Sequence, residues 1–191
     1  MASARPRRRP ARPDPLAGIA PTAPTDQYVP VVRSGARLFV AGHDPERDGR
    51  LAYQGRMGRS VSIEDTARAL HLATQNALAA ARASVGSLDH LRCVVLVGFV
   101  SSVTSDGLTP ALLADSLALL AAVLPAGGPP VACLRSAQGL AGGMPVEVEL
   151  VLEARRRAAR QPLALTVRAW RLRKGGRAAA PAPRRSAART S

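Results

Sequence analysis

Residues 131–153 read VACLRSAQGLAGGMPVEVELVLE, and the fold turns on their second half. From Pro145 onward the chain alternates: Val146, Val148, Leu150 and Leu152 fall on one face of a strand, and Glu147, Glu149, Val151 and Glu153 on the other. A strand with one wholly aliphatic face asks for a hydrophobic layer on that side only. Three carboxylates on the other side leave open a catalytic acid or base, a subunit contact, or the wet side of a sheet.

Upstream, the rest of the domain supplies that layer. QYVPVVRSG and ARLFVAG are two short β-rich runs around Ser34-Gly35 and read as a hairpin, with LAYQGRMG continuing the sheet after the polar turn HDPERDGR. A long helix follows: Ser62 and Asp65 form a capping box, Ala67, Leu70, Thr74, Ala77, Leu78, Ala81 and Val85 recur at three and four, and Gly86 stops it. LRCVVLVGFVSSV is apolar almost throughout and predicts a central strand. A second helix opens with Thr109 as cap and Pro110 in its first turn, buries Leu113, Leu117, Leu120 and Leu124, and ends at Pro125. VACLRSAQ and PVEVELVLEA close the domain. The order β-β-β-α-β-α-β-β predicts an α+β fold, a mixed sheet with two helices on one face. The bare face must then meet water or another subunit, which places the loops around 43–50 and 101–108 near subunit borders.

Charge is distributed unevenly. The 191-residue chain has a net charge of +14, but residues 1–14 hold five arginines against Asp14, and residues 155–191 hold twelve basic residues and no acid. The segment between them carries ten basic and twelve acidic residues, a net of −2, so the folded part is not a basic protein. Both ends are rich in Arg, Pro and Ala and cannot bury enough apolar surface to offset chain entropy. The expected organisation is a disordered basic arm over 1–24, a domain over 25–154, and a largely disordered basic tail over 155–191. Such arms would bind polyanions only weakly, without sequence preference and in a salt-sensitive way. The ratio of 26 arginines to one lysine across the chain fits a GC-rich coding bias equally well.

The N-terminal stretch lacks the continuous apolar run of a signal peptide, and no segment reaches the roughly 18 apolar residues of a membrane span. Cys93 and Cys133 lie in apolar strand-like runs without CxxC or Cys/His spacing, which reads as reduced, buried packing in a cytoplasmic protein with no metal site.

Over about residues 25–154 four strings, QYVPVVRSGARLFVAGHDP, LAYQGRMGRSVSIEDTARALHLATQNALAAARASVGSLDHL, VVLVGFVSS and PVEVELVLEA, resemble in order and spacing the RidA family, also called YjgF. The resemblance implies a chorismate-mutase-like fold and a homotrimer with small-molecule clefts between neighbouring subunits. It also implies hydrolysis of reactive enamines or imines such as 2-aminoacrylate, without metal or organic cofactor. In archetypal members an arginine on the penultimate strand grips the substrate carboxylate, and a glutamate on the last strand positions water. A tyrosine near the first strand lines the cleft.

Carried over by position, the glutamate falls on Glu147 and the tyrosine on Tyr28. The glycine after the second strand falls on Gly42, and the family glutamine after it is replaced by His43, a group able to exchange a proton near neutral pH. The gripping arginine falls on Ala132 and is missing, and an asparagine at the start of the second helix is replaced by Ala114. Arg135 lies three residues beyond Ala132, and an odd offset in a strand puts it on the opposite face, so only a bulge or register slip would let it substitute. Cys133 adjoins the vacant position, and the same parity points it away from the cleft. Two losses from one cleft argue against 2-aminoacrylate as substrate. The expected function is binding, with hydrolysis, of a related reactive small molecule. The alternatives are a non-catalytic metabolite-binding protein and, on the family's older name and the basic arms, an RNA-binding or endoribonuclease-like one.

Overall fold

A computed structural model describes residues 13–24, 28–124 and 127–154. Strands β1 (Val31–Ser34) and β2 (Arg37–His43) form the hairpin, and β3 (Glu46–Arg47) and β4 (Arg50–Leu51) a short ribbon. Helix α1 (Ile63–Val85) leads to the long strand β5 (Leu91–Ser101). A 3-10 turn (Pro110–Leu113) runs into α2 (Ala114–Val123), and β6 (Val131–Ala137) and β7 (Val146–Ala154) complete the domain.

The main sheet has five strands in the order β1-β2-β7-β5-β6, with β5 and β6 parallel and every other pair antiparallel. The α+β architecture is that predicted, with one correction. LAYQGRMG does not extend the sheet: its first residues pair only within the β3–β4 ribbon, and Met57 bridges Val61 and Ser102 singly. Gly55, at φ 109°, and Gly58, at φ 83°, turn the chain too sharply there for a continuous strand.

Alternation decides which side is buried. Val146, Val148, Leu150 and Leu152 are all buried, as are Leu38 and Val40 of β2 and Leu96 and Val100 of β5, and α1 covers them with Ala69, Leu70, Ala73, Ala77 and Leu78. The Ser62 hydroxyl accepts from the Asp65 N–H at 3.0 Å, and Gly86, at φ 83°, ends α1. The second helix starts differently from the expectation. Thr109 makes no side-chain cap bond, and the chain enters α2 through the 3-10 turn after Pro110.

The N-terminal boundary also moves. Leu16 is 1 % exposed and belongs to the core, Asp14 pairs with Arg82 of α1 at 2.7 Å, and Gln75 Nε2 donates to the Pro15 carbonyl at 3.0 Å. The segment that opens at residue 13 is therefore built onto α1 and is not part of a free arm. The remaining basic residues, Arg5 to Arg12 and those from 155 onward, lie outside the described residues, and so does the polyanion reading that rests on them. No helix among the described residues is long and apolar enough to cross a membrane.

Candidate functional site

Residues directly opposite one another in adjacent strands share a face, so the register sorts the uncovered side of the sheet into rows. One row is apolar from edge to edge: Val131, Val95, Val151, Phe39 and Val32. Val131, Phe39 and Val32 in it are 64 %, 45 % and 49 % exposed. The next row places Cys133 beside Val97 and Glu149. The third places Arg135 beside Phe99 and Glu147.

At Glu147 the β2–β7 pairing slips. Val40 pairs with Leu150 and His43 with Val148, so Ala41 and Gly42 together span the single residue Glu149. This is a β-bulge, which redirects the side chains beyond it. It has two consequences. Gly42 is brought under the Glu147 side chain, where a Cβ would overlap the carboxyl group and lie 2.9 Å from Cγ. Glycine is what leaves that seat open. Its carbonyl accepts a hydrogen bond from the Tyr28 hydroxyl at 3.0 Å, so Tyr28, Gly42 and Glu147 form one constellation.

Its electrostatics are those of a carboxylate kept from solvent and from cations. Burial, then Glu149, then Asp44 push the Glu147 carboxyl above the ordinary carboxylate value. Burial, then Glu147, then Asp44 push the Tyr28 phenol up as well. By contrast, Glu153 at the far end of the same face pairs with Arg92 and Arg37, and the Arg92 hydrogen bond leads in holding it below the ordinary value.

The second consequence of the bulge concerns His43. It shares the face of Val148, is 3 % exposed beneath the helix layer, and its Nδ1 lies 2.7 Å from the Ala41 carbonyl. Its Nε2 finds no hydrogen-bond partner among the described residues. His43 is thus not brought to Glu147: the expectation followed chain position, and the bulge turned the ring to the other side. Burial lowers its pKa below the ordinary value, opposed more weakly by the Ala41 hydrogen bond and Asp44. Between that lowered value and the ordinary imidazole value of about 6.5, the unfolded chain binds more protons than the native one, so stability rises with pH. His43 therefore favours the fold fully above about pH 6.5, and this contribution is lost as pH falls through the lowered value. Thermal denaturation of the protein should show a falling midpoint from pH 7 towards 5.5, with a visibly shallower fall in His43→Gln.

The parity argument about Arg135 needs a correction as well. Arg135 and Ala132 do lie on opposite faces, but Ala132 is the one turned from Glu147. It pairs with Leu96 on the helix-covered side, as Leu134 does with Gly98, and a Cβ on Gly98 would meet Leu134, Leu70 and Leu113 at 3.1, 3.1 and 3.2 Å. Arg135 and Cys133 are on the Glu147 face, and Cys133 is half-buried, not fully packed away. Cys93 is the buried thiol, pushed up to about 12 by burial. Ala114 is exposed at the start of α2, in the helix layer and across the sheet from Glu147. Phe99 and Asp44 were not singled out by sequence: Phe99 sits inside a continuous apolar run, and only the β5–β7 register puts it beside Glu147. No cluster of His, Cys, Asp and Glu with metal-holding geometry occurs among the described residues.

An α+β sheet covered by two helices on one face, with a bulge-seated carboxylate on the other, defines a class of domain shared with solved structures. A protein of unknown function from Agrobacterium tumefaciens, Atu1372, is 30 % identical, with 67 % of this chain and 82 % of that one aligned at a TM-score of 0.59. A candidate endoribonuclease from Shewanella oneidensis MR-1 is 24 % identical over 72 % of this chain and 91 % of its own, at a TM-score of 0.64. Yeast Mmf1 is 15 % identical, covering 73 % and 95 %, at a TM-score of 0.51. No protein-family model matches the chain, and no curated protein does. The chain belongs to the RidA (YjgF) family.

Proposed function

We propose that the protein binds a small reactive metabolite over Glu147 and hydrolyses an enamine or imine there, in a cleft closed by a neighbouring copy of the chain in a homotrimer. The observation that carries this reading is the Glu147 carboxyl seated over Gly42, half-buried, beside the Tyr28 hydroxyl, and surrounded by acids instead of cations. A carboxylate whose proton affinity is raised in this way is suited to general-base work. Glu147 takes a proton from water as the water oxygen bonds to the C=N carbon, and the same proton goes to nitrogen as the C–N bond breaks. Imine and water thus become a carbonyl compound and ammonia, with no oxidant and no cofactor. An enamine first becomes the imine by protonation at carbon. The free thiols of Cys93 and Cys133 agree with a reducing compartment, and we place the protein in the cytoplasm on that ground.

Glu147, Glu149 and Asp44 gathered at one place would repel a phosphodiester backbone, which favours a small-molecule substrate over RNA. The test is release of ammonia and carbonyl product from a panel of small imines generated in situ. Glu147→Gln should lower kcat by about 10²- to 10⁴-fold. Turnover that survives this substitution would remove Glu147 from the chemistry.

A further inference from the structure

The uncovered face holds its charges in two unequal groups. At one end, Arg37 and Arg92 close on Glu153, with Arg92 Nε donating to it at 3.0 Å. At the other, Glu147, Glu149 and Asp44 have no cationic partner among the described residues, and the exposed Arg135 has no carboxylate. Arg135 and Glu147 stand in one row with Phe99 between them. Two strand spacings separate their Cα atoms, about 10 Å. A guanidinium and a carboxylate that share a face yet are held apart by an aromatic ring leave room for something to lie across the ring.

We propose that Arg135 is the anion-binding residue of this site: the ligand carries a carboxylate or similar single anionic group held by Arg135, and an apolar spacer over Phe99 carries its reacting centre to Glu147. The inference rests on the hydrolytic reading above and adds a substrate class, an acid whose charged group stands a few bonds away from the reacting carbon. A guanidinium suits that task because its planar fork matches a carboxylate in two parallel hydrogen bonds. A two- or three-carbon acid is too short to span Phe99, so chain length becomes a determinant of affinity.

Binding, measured by calorimetry on the full-length protein, tests this independently of turnover. The probes are acetate, 3-phenylpropionate and the neutral 3-phenylpropionamide. The wild type should bind 3-phenylpropionate saturably and in preference to acetate and to the amide. Arg135→Gln should weaken the phenyl acid about 10- to 100-fold, leave the amide unchanged, and leave the mass of the assembly in solution unchanged. Phe99→Ala should erase the preference for the phenyl acid over acetate while sparing the charge preference. Absence of saturable binding by 3-phenylpropionate overturns the proposal, as does equal weakening of acid and amide in Arg135→Gln. Dissociation of the assembly in Arg135→Gln would make the arginine a subunit contact and overturn it too. A Glu147→Gln variant that keeps its turnover would sink the hydrolytic reading alone, because Arg135-dependent acid binding would persist.

Discussion

Gly42→Ala should abolish most of the activity while leaving the fold nearly intact, with kcat/KM down about 100-fold and unfolding free energy within about 1 kcal/mol of the parent. The asymmetry follows from what the added methyl would meet. Gly42 is not among the glycines with positive φ, so alanine suits its backbone. The only atoms in its way are those of the Glu147 side chain, whose Cγ would be 2.9 Å off with the carboxyl group closer. A glutamate can rotate out of such a collision at little cost to packing, but the carboxyl then leaves its seat over the bulge. Displacement of a catalytic group by about 1 Å is enough to cost about two decades in rate. A spectroscopic readout separates this from a general loosening. In the parent the Glu147 carboxyl titrates above the ordinary carboxylate value because it is buried beside Glu149 and Asp44, and carboxyl carbon NMR should follow it back towards the ordinary value in Gly42→Ala. The double variant Gly42→Ala/Glu147→Gln should be no slower than Glu147→Gln alone, the signature of two changes acting through one group. A variant that lost stability but kept its rate per folded molecule would show that glycine is needed for the bulge and not for the carboxylate.

The raised affinity of Glu147 for its proton also carries a stability statement of opposite sign to that of His43. A carboxyl whose folded pKa lies above its unfolded value favours the fold fully below the unfolded value, and that contribution is lost as pH rises through the folded one. At neutral pH the ionised Glu147 therefore works against the fold, as functional carboxylates commonly do. Glu147→Gln should be slightly more stable than the parent at pH 7 while being far less active.

How much of this could be read from the chain depends on whether the information is local. The alternation in β7, the Ser62 cap and the stripe of α1 are properties of neighbouring residues, and they placed the core, the layers and the helix-free face correctly. The site depends on register between strands distant in sequence. One extra residue in β2 opposite Glu149 sends His43 into the core and Gly42 beneath Glu147, and no pattern within RLFVAGH announces it. The face of Arg135 is fixed by parallel pairing with β5, through Phe99. Counting back from Glu147 through QGLAGGMP crosses a loop with a 3-10 turn at Ala141–Gly143, with Gly142 at φ 62° and Gly143 at φ 73°. Parity is lost in such a loop, so the reading that Ala132 shared the face of Glu147 could not survive. Leu16 was missed for a different reason: a single leucine among Pro, Ala and Gly has no period to reveal that it is buried.

Val151→Asp should convert the protein from trimers to monomers, a threefold fall in mass by light scattering or sedimentation, with helical circular dichroism unchanged. Val151 stands in the middle of the apolar row, between Val95 and Phe39, on the side of the sheet that neither helix covers. In an isolated chain an aspartate there points to solvent, and the packed side, with Val146, Val148, Leu150 and Leu152, is untouched. In an assembly built on this face each copy of the new carboxylate would be removed from water without a partner, at an effective cost of several kcal/mol per ion. About 4 kcal/mol per contact corresponds to roughly three decades in association. Because the cleft over Glu147 is proposed to be closed by the neighbouring copy, imine turnover should fall together with the mass, and should recover as protein concentration is raised far enough to restore the trimer. Monomers that keep full activity would place the whole site within one chain. A trimer that tolerates the aspartate would mean that the copies meet elsewhere, and the apolar row would then need another occupant.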